Sequence, residues 1–98
     1  MITPEGFDDF GNAILSRFDT ALINVDGADV QFDIYRKWME GKRLIVYLLL
    51  SNTTGILKDF RLLNPLGTVV ISEVDEVEKT ETNGYLISFQ LDMVEVFK

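Results

Sequence analysis

Large apolar side chains recur at helical spacing near the start of the chain, directly after a proline. The stripe consists of Phe7, Phe10, Ile14 and Phe18, with Leu15 beside it. Thr3 suits the N-cap position and Pro4 the first helical position. The pattern therefore predicts a helix over about residues 4–18 that packs on its apolar stripe.

The next segment alternates between apolar and polar residues around Asp26-Gly27, a dipeptide typical of two-residue hairpin turns. Pairing Val25 with Ala28 places Ile23 opposite Val30. The same register places Ala21 opposite Phe32, so these apolar residues share one face of the hairpin. We predict a hairpin with one dry face and one largely wet face.

Four further strands follow from the pattern. Leu44–Leu50 is apolar on both faces, which is typical of a central strand. Residues 73–84 are acidic and polar and are expected to form a connection. The other predicted strands, separated by turns that include Asn64-Pro65-Leu66-Gly67, are Ile56–Leu63, Thr68–Val74 and Tyr85–Val96.

One helix followed by about six strands with short links predicts an α+β fold. Short links favour antiparallel neighbours, so the simplest arrangement is the N-terminal helix packed on one antiparallel meander sheet. A small β-sandwich or a partly open barrel with one helix is the alternative. At 98 residues the chain is expected to form a single domain over residues 1–98.

The composition removes several kinds of chemistry. The chain contains no Cys and no His, so a disulfide, a zinc-thiolate site and a histidine base are excluded. Ser51–Gly55 supplies hydroxyl groups but no base to activate them. The acids Asp26, Asp29 and Asp33 lack the spacing of a calcium-binding loop. We therefore expect no enzyme activity, no cofactor and no resident metal.

The net charge is −7, and it is unevenly distributed. Residues 1–33 carry −6, residues 34–61 carry +4, and residues 62–98 carry −5. A strong negative charge disfavours nucleic acid as a partner. The acids of residues 73–81 could bind a cation or a basic partner, but a solvated segment that discourages strand pairing is the favoured interpretation.

The basic middle segment supplies the candidate interface. Trp38 is interleaved there with several cations. We expect the segment to form a hairpin with charged tips, in which Trp38 packs against the sheet. Tryptophan and arginine dominate binding hot spots, so an exposed Trp38 would be the first interface candidate. The candidate interface residues are Arg36, Trp38, Lys42 and Arg43, with Lys37 among them in sequence.

Nothing in the sequence indicates a membrane segment. The longest apolar run, Leu44–Leu50, has seven residues, against about 20 for a spanning helix. The N-terminus also lacks the basic and hydrophobic regions of a signal peptide. A cytoplasmic location without membrane contact is the expectation.

Several blocks of the sequence resemble small proteins encoded in phage and prophage tail regions. They are residues 2–6 (ITPEG), 21–27 (ALINVDG), 55–63 (GILKDFRLL), 67–70 (GTVV), Lys79, 84–91 (GYLISFQL) and 94–96 (VEV). The resemblance implies a structural or assembly role in a tail or baseplate, and a virion-associated location. It transfers no catalytic residue.

Three functions remain open from the sequence. The leading hypothesis is a non-enzymatic structural or interaction module that self-associates or docks on a protein partner. An acidic inhibitor that mimics nucleic acid is the second, favoured by the net charge. The third is a small-ligand or sugar-binding module with Tyr35, Tyr47 or Tyr85 lining a pocket.

Overall fold

The structure, a computed structural model, describes residues 1–80 and 84–94. These residues form one α-helix followed by seven β-strands. The elements are α1 (Pro4–Leu15), β1 (Thr20–Val25), β2 (Ala28–Asp33), β3 (Arg36–Glu40), β4 (Arg43–Leu50), β5 (Gly55–Leu63), β6 (Val69–Lys79) and β7 (Tyr85–Asp92). The α+β class is confirmed, and β3 is the strand that the sequence pattern did not separate from its turn.

The strands form two open antiparallel sheets, so the predicted single meander sheet is wrong. One sheet has four strands in the order β2-β1-β5-β6, and the other has three in the order β3-β4-β7. The sequence order is broken where β1 pairs with β5 and β4 pairs with β7. Both sheets have a dry face, and burying two dry faces requires two layers rather than one.

Both sheets and the end of the helix contribute to one hydrophobic core. β4 is its main contributor, as its uniformly apolar sequence predicts, because it lies in the middle of the three-stranded sheet. The buried core residues are Leu15, Phe18, Ala21, Ile23, Leu44, Val46, Leu48, Leu50, Leu57, Phe60, Leu62 and Phe89.

The start of α1 is confirmed, but its end and its buried face differ from the prediction. The Thr3 hydroxyl accepts a hydrogen bond from the Gly6 N–H at 3.0 Å. The helix ends at Leu15, after which the chain tightens so that the Phe18 N–H donates to the Leu15 carbonyl at 3.1 Å. This three-residue spacing replaces the four-residue spacing of the α-helix.

The predicted apolar stripe is confirmed in part: Phe7, Leu15 and Phe18 are buried, but the buried face of α1 includes Gly11 and leaves out Phe10 and Ile14. Phe10 is 51% exposed and Ile14 is 39% exposed. Gly11 is buried, and a Cβ there would overlap the Met39 thioether and lie 3.1 Å from Leu44 Cδ2. The helix therefore sits against the β3–β4 hairpin at its smallest residue, which turns the stripe of Phe10 and Ile14 partly toward solvent.

The hairpin at Asp26-Gly27 is confirmed in turn and in register. Val25 pairs with Ala28, and Ile23 pairs with Val30. Asp26 and Gly27 have φ values of 51° and 89°, as a two-residue turn of this kind requires. The turn at residues 64–67 is also confirmed. The Asn64 Oδ1 accepts hydrogen bonds from the backbone N–H groups of Leu66 and Thr68.

The last two strands correct the predicted boundaries. β6 continues to Lys79, so the acids from Glu73 to Glu78 lie on a strand rather than in a connection. β7 ends at Asp92. The predicted end of the last strand at Val96, and Glu81 of the acidic run, lie outside the described residues.

Candidate protein interface

The outer face of the three-stranded sheet carries most of the predicted interface residues. Side chains alternate between the two faces of a strand, and Leu44, Val46 and Leu48 of β4 fill the core. Their neighbours therefore lie on the opposite face, together with their cross-strand partners. The polar members of this set are Glu40, Ser88, Gln90 and Asp92. We call its remaining members the aromatic face, and they are Arg36, Trp38, Arg43, Ile45, Tyr47, Leu49 and Leu86.

Trp38 lies at the centre of a stacked group on the aromatic face. Its ring meets the Tyr47 ring edge to face, with centroids 4.7 Å apart. The Arg36 guanidinium carbon lies 4.7 Å from the centroid of the Trp38 ring on which it stacks. Such aromatic pairs contribute about 0.5–1.5 kcal/mol beyond area burial. Trp38 is thus held in place while it remains half-buried.

The aromatic face continues into two exposed leucines. Leu49 of β4 and Leu86 of β7 are direct cross-strand partners. They are 43% and 48% exposed, while Ile45 beneath Trp38 is only 4% exposed. A contiguous exposed apolar surface of this kind on a small protein is typical of an interaction site.

Arg43 also lies on the aromatic face, but Lys42 does not. The Arg43 Nε donates to Asp92 Oδ1 at 2.8 Å, and this hydrogen bond raises the pKa of the arginine. Lys42 occupies the β3–β4 turn, and its Nζ lies 4.4 Å from the centroid of the Phe7 ring. The structure therefore brings Arg36, Trp38 and Arg43 together and places Lys42 against the helix.

Lys37 has a structural role that the sequence did not reveal. Its Nζ donates to the carbonyls of Leu15 at 2.9 Å and Phe18 at 2.8 Å. A helix leaves its last carbonyls without intrahelical donors, and a cation there also complements the helix dipole. Lys37 thus caps the C-terminal end of α1 from a position 22 residues after Leu15 in the sequence.

Arg36 differs from the other arginines that lie on the sheets. Arg43 is paired with Asp92 at 2.8 Å, and Arg61 is paired with Asp29 at 2.7 Å. Arg36 forms no ion pair within residues 1–80 and 84–94. Its charge is therefore available to a carboxylate from outside the molecule.

A small cleft lies where β6 and β7, one strand from each sheet, face each other. Its volume is about 160 Å³. Its lining residues include Glu73, Asp75, Phe60 and Tyr85, and also Leu86 of the aromatic face. The sequence pattern predicts a solvated connection for these acids, because the neighbouring residues in the chain do not indicate that β6 lies beside β7.

The three tyrosines considered for a ligand pocket lie in different places. Tyr85 lines the cleft between β6 and β7. Tyr47 contacts Trp38 on the aromatic face, and Tyr35 is 62% exposed at the start of β3. They do not form one aromatic pocket.

The described residues form neither a cluster of metal ligands nor a membrane-spanning helix. No group of three or more acidic side chains there is arranged to hold a metal ion. No helix in the same part of the chain has the length and hydropathy needed to cross a bilayer.

Comparison with known proteins gives no match. No protein-family model, curated protein or solved structure is matched by this chain. The resemblance to phage-tail proteins therefore stays a prediction from the sequence blocks that carry it, and the evidence for a function is the surface of the molecule itself.

Proposed function

We propose that this protein is a non-enzymatic structural module that self-associates through its aromatic face. The observation that carries the proposal is the exposed apolar surface on the outer side of the three-stranded sheet, where Leu49 and Leu86 adjoin the Trp38–Tyr47 pair. A sheet face with these residues gains free energy when it is covered, at about 25 cal/mol per Å² of apolar surface removed from water.

The residue types on this face support a protein partner. Trp, Tyr and Arg are the residues most enriched in binding hot spots. Here Arg36, Trp38 and Tyr47 already contact one another, so little side-chain freedom remains to be lost on binding. A preorganised aromatic group with an adjacent cation is suited to a protein surface that offers apolar side chains and carboxylates.

Charge is compatible with a second copy of this chain as the occupant. The outer side of the three-stranded sheet carries Arg36 and Arg43 together with Glu40 and Asp92, and Arg43 is paired with Asp92, so Arg36 is the cation left for a partner. A second copy, with a net charge of −7, offers carboxylates that complement Arg36. The role as a component of a phage tail or baseplate is part of the proposal and rests on the sequence resemblance.

The test is the mass of the protein in solution across a wide range of concentrations, measured by size-exclusion chromatography with light scattering. Leu86→Ser removes an exposed apolar side chain from the aromatic face. Leu66→Ser makes the same change in the turn after β5, where the leucine is 84% exposed. Neither leucine belongs to the core, so both variants are expected to fold.

We expect the wild type to form an oligomer and Leu86→Ser to raise its dissociation constant about five- to tenfold, from the loss of about 1 kcal/mol of apolar burial. Leu66→Ser should behave as the wild type. A wild type that stays monomeric at every concentration refutes self-association. Competition with DNA for a basic protein, with affinity that falls steeply with salt, would then favour the acidic inhibitor.

A further inference from the structure

The four strands at the sheet edges differ in charge. Within the described residues these are β2 and β6 of one sheet and β3 and β7 of the other. β6 has four carboxylates against one lysine, a net charge of −3, whereas β2 has −2 and β7 has −1. β3 has two cations against one carboxylate and is the edge with a net positive charge, +1.

A groove runs along the free side of β3. Its volume is about 580 Å³, and α1 lines its other side, with Asp8 and Asn12. Trp38 lines it from the outer face of the sheet, while Lys37 and Met39 line it from the inner face. Arg36 does not line the groove but stacks on Trp38, so a partner that covers Trp38 also meets the Arg36 charge.

The cleft between β6 and β7 has the chemistry of a site for a cationic side chain. Glu73 and Asp75 supply negative charge, and Tyr85, which is 37% exposed, supplies an aromatic ring. Arginine binds carboxylates through several donors and also stacks on aromatic rings. The cleft, at about 160 Å³, is much smaller than the groove of about 580 Å³ beside β3, and it suits one side chain rather than a strand.

From these two surfaces we infer that copies of the protein associate head to tail, with Arg36 of one copy seated in the cleft between β6 and β7 of the next. The inference rests on the proposed self-association and specifies its geometry. β3 and β7 are opposite edges of the three-stranded sheet, with β4 between them. The two contact surfaces are therefore different, and every copy retains one of each, so the assembly extends into a ring or a filament.

The alternative in which like edges meet is disfavoured by charge. An antiparallel pair of β6 strands brings the four carboxylates of one copy against the same four of another. Like charges directly opposite each other destabilise a strand pair. Contact between β3 and the β6–β7 cleft places opposite charges together.

The test uses one variant that blocks each surface. Arg36→Met removes the charge and keeps a stem that packs on Trp38. The double variant Glu73→Gln/Asp75→Asn neutralises the cleft with side chains of the same shape. Arg17→Met is the matched control, because Arg17 is exposed and lies outside both surfaces. Masses are measured by light scattering for each variant alone and for equimolar mixtures.

Each blocking variant alone should associate about 30-fold more weakly than the wild type, as expected for removal of one partner of a charge pair in an interface. Arg17→Met should behave as the wild type. A mixture of the two blocking variants still has one intact junction, formed by Arg36 of one and the cleft of the other. It should give a 1:1 complex of about 22 kDa, from two chains of 11.2 kDa, that does not grow further.

The outcomes separate this inference from the proposed function. If the wild type associates and Leu86→Ser weakens it, but Arg36→Met has no effect, self-association stands and the head-to-tail geometry is refuted. A mixture of the blocking variants that stays monomeric also refutes it, because that mixture contains one intact pair of Arg36 and cleft that should associate. A monomeric wild type refutes both.

Discussion

Gly55 lies where the first residue of β5 meets the turn between β1 and β2. The Asp26 carboxylate accepts a hydrogen bond from the Ile56 N–H at 2.8 Å, and the Asp26 N–H donates to the Ile56 carbonyl at 3.0 Å. Gly55 has a φ of +125°. A Cβ at this position would lie 2.6 Å from Asp26 Cγ and 2.7 Å from Asp26 Oδ1. The turn and the strand are thus joined at a point that has no room for a side chain.

Gly55→Ala should therefore lower the free energy of unfolding by about 3 kcal/mol. A residue with a Cβ is strained at this φ, at a cost of about 1–3 kcal/mol. The new methyl group also displaces the Asp26 carboxylate, which loses its hydrogen bond to Ile56, at about 1–2 kcal/mol for an exposed bond of this kind. For a domain of this size the melting temperature should fall by roughly 10–25 °C.

A double-mutant cycle with Asp26→Gly separates the two causes. Glycine tolerates the φ of 51° at position 26, so this variant keeps the turn and removes the carboxylate. Urea unfolding should then show that Gly55→Ala costs only the backbone strain in the Asp26→Gly background, about 1–3 kcal/mol. An equal cost in both backgrounds would refute the argument that the carboxylate occupies the space.

Two further predictions concern contacts made by charged side chains. Lys37→Met should lower the free energy of unfolding by about 1–2 kcal/mol in a urea titration, because the Phe18 carbonyl loses the Lys37 donor and the Leu15 carbonyl keeps only the Phe18 N–H, while Lys58→Met on an exposed site should change it little. The hydrogen bond from Arg61 lowers the pKa of Asp29, so its stabilisation is complete above the unfolded pKa and is lost as the pH falls through the lower folded value. Asp29→Asn should flatten the decrease in melting temperature in that acidic range, and an unchanged pH profile would contradict the role of this pair.

Much of the candidate interface follows from the alternation of β3, and the rest depends on the packing of the sheets. Arg36 and Trp38 are two residues apart, so a strand places them on the same face. Whether that face is the outer one depends on Met39 and Lys37, which contact the core and the helix end respectively. The proximity of Glu73 to Tyr85 depends on how the two sheets face each other.

Features whose hydrogen bonds span only a few residues follow from the local sequence. Thr3 caps α1 through Gly6, the Asp26-Gly27 turn sets the register of β1 and β2, and Asn64 closes its own turn. In each case the donor and acceptor are neighbours in the chain. Local residue types are therefore sufficient to specify the geometry.

Which surfaces meet depends on packing between segments that are distant in the chain. A period of two shows that β1 and β5 are strands, but it does not identify them as partners. The stripe of Phe10 and Ile14 is as apolar as the face that is buried, and Gly11 decides between them because only glycine admits Met39 so closely. These choices depend on contacts between residues that are distant in the chain. The free energy of the whole fold, rather than that of any single segment, therefore selects among them.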